Sequence, residues 1–130
     1  MANALYAKGK EKFLSGSIDL TTDTIKVVLV DAGVYTVNLS TDEFFNDIAS
    51  VIATATLGTK TVTNGVFDAA DATFSTVSGA QSEILVIYKD TGVASTSPLI
   101  AYFDTATGLP VTPNGGDITI TWNASGIFAL

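Results

Sequence analysis

The chain has 130 residues, enough for one domain with a real hydrophobic core and too few for a second domain of ordinary size. Apolar residues make up 47% and charged residues only 15%, a balance that excludes intrinsic disorder. The net charge of −7 argues against sequence-independent binding to nucleic acid or to an anionic membrane, and the absence of Cys, His and Arg removes thiol and imidazole chemistry and guanidinium clamps on phosphate.

In chain order, the first expected element is a short helix capped by Asn3, with Leu5, Tyr6, Gly9 and Phe13 on one face and a stop at Ser15-Gly16. The lysines of this segment and its lack of a continuous apolar run do not read as a signal peptide. A strand follows at Thr24–Val30, closed by the turn signal Asp31-Ala32-Gly33. Ser40 and Glu43 have the spacing of a capping box, which predicts a second helix of two or three turns carrying Phe44, Phe45 and Ile48. Thr59–Thr63 and Val66–Phe74 flank Asn64-Gly65, the pair that a tight hairpin turn with two positive φ angles favours. Further strands are expected at Glu83–Tyr88, Leu99–Phe103, Asp117–Trp122 and Ile127–Leu130. The longest apolar runs, Val27–Val30 and Ile84–Tyr88, are far too short to span a bilayer as helices. The expected fold is mainly β, an antiparallel sandwich or barrel with one short N-terminal helix and one short internal helix. Its organisation reads as an N-terminal helical arm over 1–16 and a single β domain over 17–130.

Chemistry is sparse. The closest carboxylate pair, Asp68 and Asp71, would fall on opposite faces of a strand and cannot work together as acid and base. Asp68, Asp71, Asp90, Asp104 and Asp117 supply the oxygen ligands calcium prefers, but no EF-hand pattern is present and Asp beside a turn normally bonds its own backbone. The sequons at Asn38 and Asn123 read as chance. No catalytic residue, metal ligand or cofactor is assigned. Trp122, Tyr88 and Tyr102 are the aromatic residues on which a carbohydrate-binding or calcium-dependent module would build a stacking platform, though Trp122 alternates with Ile118 and Ile120 as a core residue would.

Charge is distributed unevenly. Lys8, Lys10 and Lys12 against Glu11 give residues 1–12 a net +2, which leaves −9 on the remainder of a −7 chain. A cationic amphipathic segment on an acidic body is suited to dock on a neighbouring acidic surface or on another copy. The candidate interaction residues are therefore Leu5, Tyr6, Lys8, Lys10, Lys12 and Phe13. High hydropathy, few charges and only Lys26, Lys60 and Lys89 as cations in the body suggest that part of the surface is covered by partners.

Three stretches carry a resemblance: NALYAKGKEKFLSGSIDLTTDTIKVVLVD at 3–31, EILVIYKDTG at 83–92 and LIAYFDTATGLPVTPNGGDITITW at 99–122. The chain resembles a family of small virion proteins of tailed bacteriophages over roughly residues 3–130. That resemblance implies a structural, non-enzymatic component made in the bacterial host cytoplasm and built into the capsid. The implied role is a cement or decoration protein on the major capsid protein, acting as a homo-oligomer and expected as a trimer at local three-fold positions. A tail, neck or baseplate component is the alternative within the same class.

Overall fold

The structure is a computed structural model and describes residues 3–130. Its main sheet has five antiparallel strands in the order β1-β8-β7-β2-β3: β1 (Ala4–Leu5), β2 (Ile25–Val30), β3 (Val51–Thr56), β7 (Ile84–Lys89) and β8 (Leu99–Phe103). A three-stranded sheet, β10-β5-β4, joins β4 (Thr61–Thr63), β5 (Val66–Asp68) and β10 (Phe128–Ala129). A two-stranded sheet pairs β6 (Ala72–Phe74) with β9 (Ile118–Ile120). One helix, α1 (Ala7–Leu14), and 3-10 turns at Phe45–Asp47 and Ala94–Thr96 complete the described elements. Mainly antiparallel β with a short N-terminal helix is therefore the architecture. The sheets do not close into a barrel, so that half of the sequence expectation is corrected.

Burial explains why β2, β7 and β8 read as unbroken apolar runs. An antiparallel sheet ordinarily leaves one face wet and alternates accordingly. Here both faces are dry. On one, Ile25, Val27, Leu29, Leu85, Ile87 and Ile100 pack under Phe67, Phe74, Ile118, Ile120 and Trp122 from the two small sheets. On the other, Val28, Val30, Val86, Tyr88, Leu99 and Tyr102 lie beneath Tyr6 and the strap formed by Tyr35, Val37, Leu39, Phe45 and Ile48. The strap is pinned by stacking of Phe45 on Tyr88, with centroids 4.2 Å apart and rings 7° from parallel.

Several local expectations change for identifiable reasons. The helix predicted after Ser40 is a 3-10 turn, because the backbone around it is recruited elsewhere. Phe45 N donates to Ser97 O and Leu99 N donates to Glu43 O, both at 2.9 Å, which draws residues 43–45 alongside the start of β8. Ser40 caps nothing; Asn38 Oδ1 instead accepts the N–H groups of Ser40 and Thr41, and Asp47 Oδ2 those of Glu43 and Phe44. The long strand expected over Val66–Phe74 splits into β5 and β6. Ala70 N donates to Gly58 O and Asp71 Oδ1 accepts Trp122 N, turning the chain from one small sheet to the other. The Asn64-Gly65 hairpin forms as expected, with φ of 53° and 79°.

α1 starts at Ala7, not beside Asn3, because residues 4–5 pair with β8 first. Its end is as expected: Ser17 N donates to Lys12 O at 2.8 Å and Gly16 adopts φ of 78°. Gly9 is the contact point between α1 and β8. A Cβ placed there would collide with the Leu99 carbonyl oxygen and come within 3.2 Å of the Ile100 Cα. Gly→Ala inside a free helix stabilises by about 1 kcal/mol. In this position the sign reverses, and Gly9→Ala is expected to destabilise the fold by about 2 kcal/mol, within the range for overpacking. Chemical denaturation checks it, with Lys8→Ala in the same helix expected to change stability by less than about 0.5 kcal/mol. A Gly9→Ala protein as stable as the parent would show that α1 does not need its close approach to β8.

Candidate interaction site

The six candidate interaction residues lie together on β1 and α1, but most of their chemistry faces inward. Tyr6 is 0% exposed. Its hydroxyl lies 2.9 Å from that of Tyr35, whose own proton goes to Asp42 Oδ2 at 2.6 Å. With that proton committed, Tyr6 donates to Tyr35, and burial raises both phenols above the ordinary tyrosine range. Leu5 is half-buried against the core. Phe13 packs on the same core, its ring 6.3 Å from Phe128, which lies in turn 5.3 Å from Phe67.

The cations follow the same logic. Lys8 pairs with Glu11 at 3.4 Å. Lys12 reaches Glu43 at 3.2 Å and sits 5.4 Å from the Phe44 ring centroid. Lys10 is exposed and makes no ion pair among the described residues. Leu14, at the end of α1, is 89% exposed and is the most exposed of the large apolar side chains described. The outward chemistry of this segment is thus Lys10 and Leu14, with Leu5 opening onto the groove described next. The single face expected from periodicity is divided: Leu5 and Phe13 pack with the core beneath the small sheets, whereas Tyr6 lies with the strap on the opposite side of the main sheet.

Asn3 has a role the sequence did not suggest. Its Oδ1 accepts the N–H groups of Asp104 and Thr105, and its Nδ2 donates to Thr105 O. Asn3 thereby fixes the start of β1 beside the turn after β8. There a groove opens, with Asn3, Phe103, Thr107, Thr121, Trp122 and Ile127 in its wall and about 440 Å³ of space. It continues into a second space of about 360 Å³ that runs along Leu5, Phe128 and Ala129. Trp122, the only tryptophan, is 8% exposed and gives its indole N–H to Ala70 O. Tyr88 lies beneath Phe45, where burial and the Asp90 carboxylate push its phenol up to about 12. Tyr102 is also buried. None of the three presents a bare ring face to solvent.

Asp90 and Asp68 bond their own local backbone, Asp90 Oδ1 accepting Gly92 N and Asp68 Oδ1 accepting Ala69 N, whereas Asp71 Oδ1 and Asp117 Oδ1 tie distant segments by accepting Trp122 N and Thr76 N. No group of three acidic residues that could hold a metal ion occurs among the described residues. Lys26, Lys60 and Lys89 gather at one end of the main sheet, where Lys26 meets Asp90, Lys89 meets Asp23 and Lys60 donates to the Asp23 carbonyl. No described helix is long and apolar enough to cross a membrane.

No protein-family model matches this chain, and the search of curated proteins likewise gave no match.

Two consequences are measurable. Removing residues 1–15 deletes β1 and takes fully buried Tyr6 out of the core, so the truncated protein is expected to lose about 4 kcal/mol or more of unfolding free energy. Unchanged stability would mean that the segment is an independent arm. The second concerns Asp90, whose carboxyl is held below the ordinary range by the Lys26 ammonium 2.7 Å away and by the Gly92 N–H. A carboxyl whose folded pKa lies below its unfolded value stabilises the fold above the unfolded value, and that contribution disappears as pH falls through the folded one. Asp90→Asn is expected to be less stable than the parent near neutral pH and to converge with it in strong acid. A gap that stays constant across that range would remove the ion pair as its cause.

Proposed function

We propose that this protein is a non-enzymatic structural component of a bacteriophage particle, an accessory protein that cements or decorates the head shell as a homo-oligomer. One observation carries the reading. The three stretches in which the likeness to small virion proteins is read, 3–31, 83–92 and 99–122, supply β1, α1, β2, β7, β8 and β9, hence four adjacent strands of the main sheet, the helix packed on them and one strand of the small sheet that covers it. The likeness therefore falls on the centre of the fold.

The chemistry of the molecule supports the same reading. Its acidic side chains hold turns and caps, and its aromatic side chains fill two core layers. A protein of this kind acts through buried area repeated over many copies, for which a body rigidified on both faces of its sheet is well suited. The partners are the major capsid protein and further copies of this chain, with a trimer expected at local three-fold positions.

Copy number tests the proposal most directly. Quantitative mass spectrometry of purified particles is expected to give about one copy per subunit of the major shell protein. A ratio many-fold lower would move the protein to the neck, tail or baseplate. Absence from particles would overturn the virion reading altogether.

A further inference from the structure

The groove beside Asn3 is bounded by two strand edges that have no partner on their outer side. β1 pairs only with β8, and β10 only with β5. Tyr6 N donates to Ile100 O at 3.0 Å, so the alternation of an antiparallel ladder turns the N–H and C=O of the preceding residue, Leu5, away from β8. Leu130 N donates to Gly65 O at 3.0 Å, which does the same for Ala129 on β10. Leu5 and Ala129 both line the groove, and among the described residues their outward backbone groups make no other backbone hydrogen bond.

The wall between them is apolar, from Phe103, Ile127 and Phe128, and continues to Trp122. Among the described residues no charged side chain lines either part of the groove, although the chain as a whole carries −7. Two unpaired strand edges call for an extended backbone, and a chargeless wall excludes a charged occupant, since no countercharge would replace its hydration. A sugar is a poorer fit, because Trp122 is nearly buried and its indole N–H is already taken. A second copy is a poorer fit as well. Uncharged stretches of this chain such as 48–59, 105–116 and 118–130 are held in β3, in bridges to Thr121 and Ser82, and in β9 and β10. A copy could supply one of these only by breaking its own ladders.

We propose that the groove receives an extended, uncharged segment of the shell protein, added as a strand between β1 and β10; this rests on the accessory-shell reading above. The segment would take hydrogen bonds from Leu5 on one side and Ala129 on the other, with alternate side chains against Phe103 and Trp122. At about 3.3 Å per residue, a handful of residues spans such a site.

The experiment uses the full-length protein and shells prepared without it. Trp122 is the only tryptophan and lies in the groove wall, so its emission reports occupancy. Wild-type protein is expected to bind shells with a blue shift of that emission. Ala129→Pro removes an N–H that faces away from β5, and Thr107→Phe fills the groove from its exposed rim. Each is expected to weaken shell binding roughly tenfold or more. Val93→Ala, an exposed apolar position outside the groove wall, is expected to bind as wild type does. Thr107→Phe keeps the comparison valid should Ala129→Pro fail to fold, which circular dichroism would reveal. Failure of the wild type to bind shells would overturn this proposal together with the accessory-shell reading. Wild-type binding matched by both groove variants, with unmoved Trp122 emission, would overturn the groove alone. Self-association in the absence of shells that Ala129→Pro abolishes would make a second copy the occupant and overturn the shell segment.

Discussion

The structure depends on one constraint: the central strands of an antiparallel sheet are buried on both faces. Val27, Val28, Leu29 and Val30 on β2, and Leu85, Val86 and Ile87 on β7, are all fully or almost fully removed from water. Each successive residue therefore needs a cover on the opposite side from its neighbour. The remainder of a 130-residue chain supplies those covers. The two small sheets lie over one face, while Tyr6 and the strap from Tyr35 to Ile48 lie over the other. The strap gains its position from two kinds of anchor. Phe45 stacks on Tyr88, and the Tyr6–Tyr35–Asp42 chain of hydrogen bonds satisfies polar groups that the covering buries.

The same constraint explains why so few charges suffice. A sheet with a wet face must carry polar side chains along every strand, whereas here the charged side chains of the main sheet are confined to the ends of β2 and β7. Lys26 and Lys89 stand where β2 begins and β7 ends, each paired with an aspartate from the adjoining turn. Other acids serve turns, as Asp31 does for Gly33 and Asp19 for Thr21, or tie distant segments, as Asp71 does for Trp122 and Asp117 for Thr76. With most side-chain charge engaged in this way, much of the surface that remains for partners is made of hydroxyls, apolar side chains and open backbone, with Lys10 and Leu14 on α1. Recognition through backbone edges is what such a surface offers.

Much of the fold was legible because its signals are local. The runs TIKVVLV, EILVIY and LIAYF announced their strands, and Asn64-Gly65 its hairpin, since each rests on residues adjacent in sequence. The failures share a different cause. β3, reading VIATAT, was missed because Ala53 and Ala55 form its inward face, and small side chains give a faint alternation. The helix after Ser40 was lost to hydrogen bonds with residues 97 and 99, which no local pattern encodes. The residues of the N-terminal segment expected on one face, Leu5, Tyr6, Gly9 and Phe13, all turn toward the body, but Leu5 and Phe13 join one core layer and Tyr6 the other. What they pack against is not encoded locally, because Ile100 and Phe128 lie far along the chain from residues 5–13. Asn3 was read as a cap for the same reason, since its partners are at 104 and 105.

The two lateral edges of the main sheet are handled differently, and this is where fold and function meet. At one edge β3 carries a bulge opposite Leu29 and Val30 and lies beside β6. A bulged edge flanked by its own chain resists further pairing. At the other edge β1 is only two residues long, and the small sheet that covers the core ends opposite it at β10 without reaching across. Asn3 fixes the β1 side of this opening to the turn at 104–105. A strand added there would complete the cover over Phe103 and Ile127 that the chain itself leaves thin. The edge that is left open is therefore the one where an added segment would gain both a backbone ladder and an apolar floor.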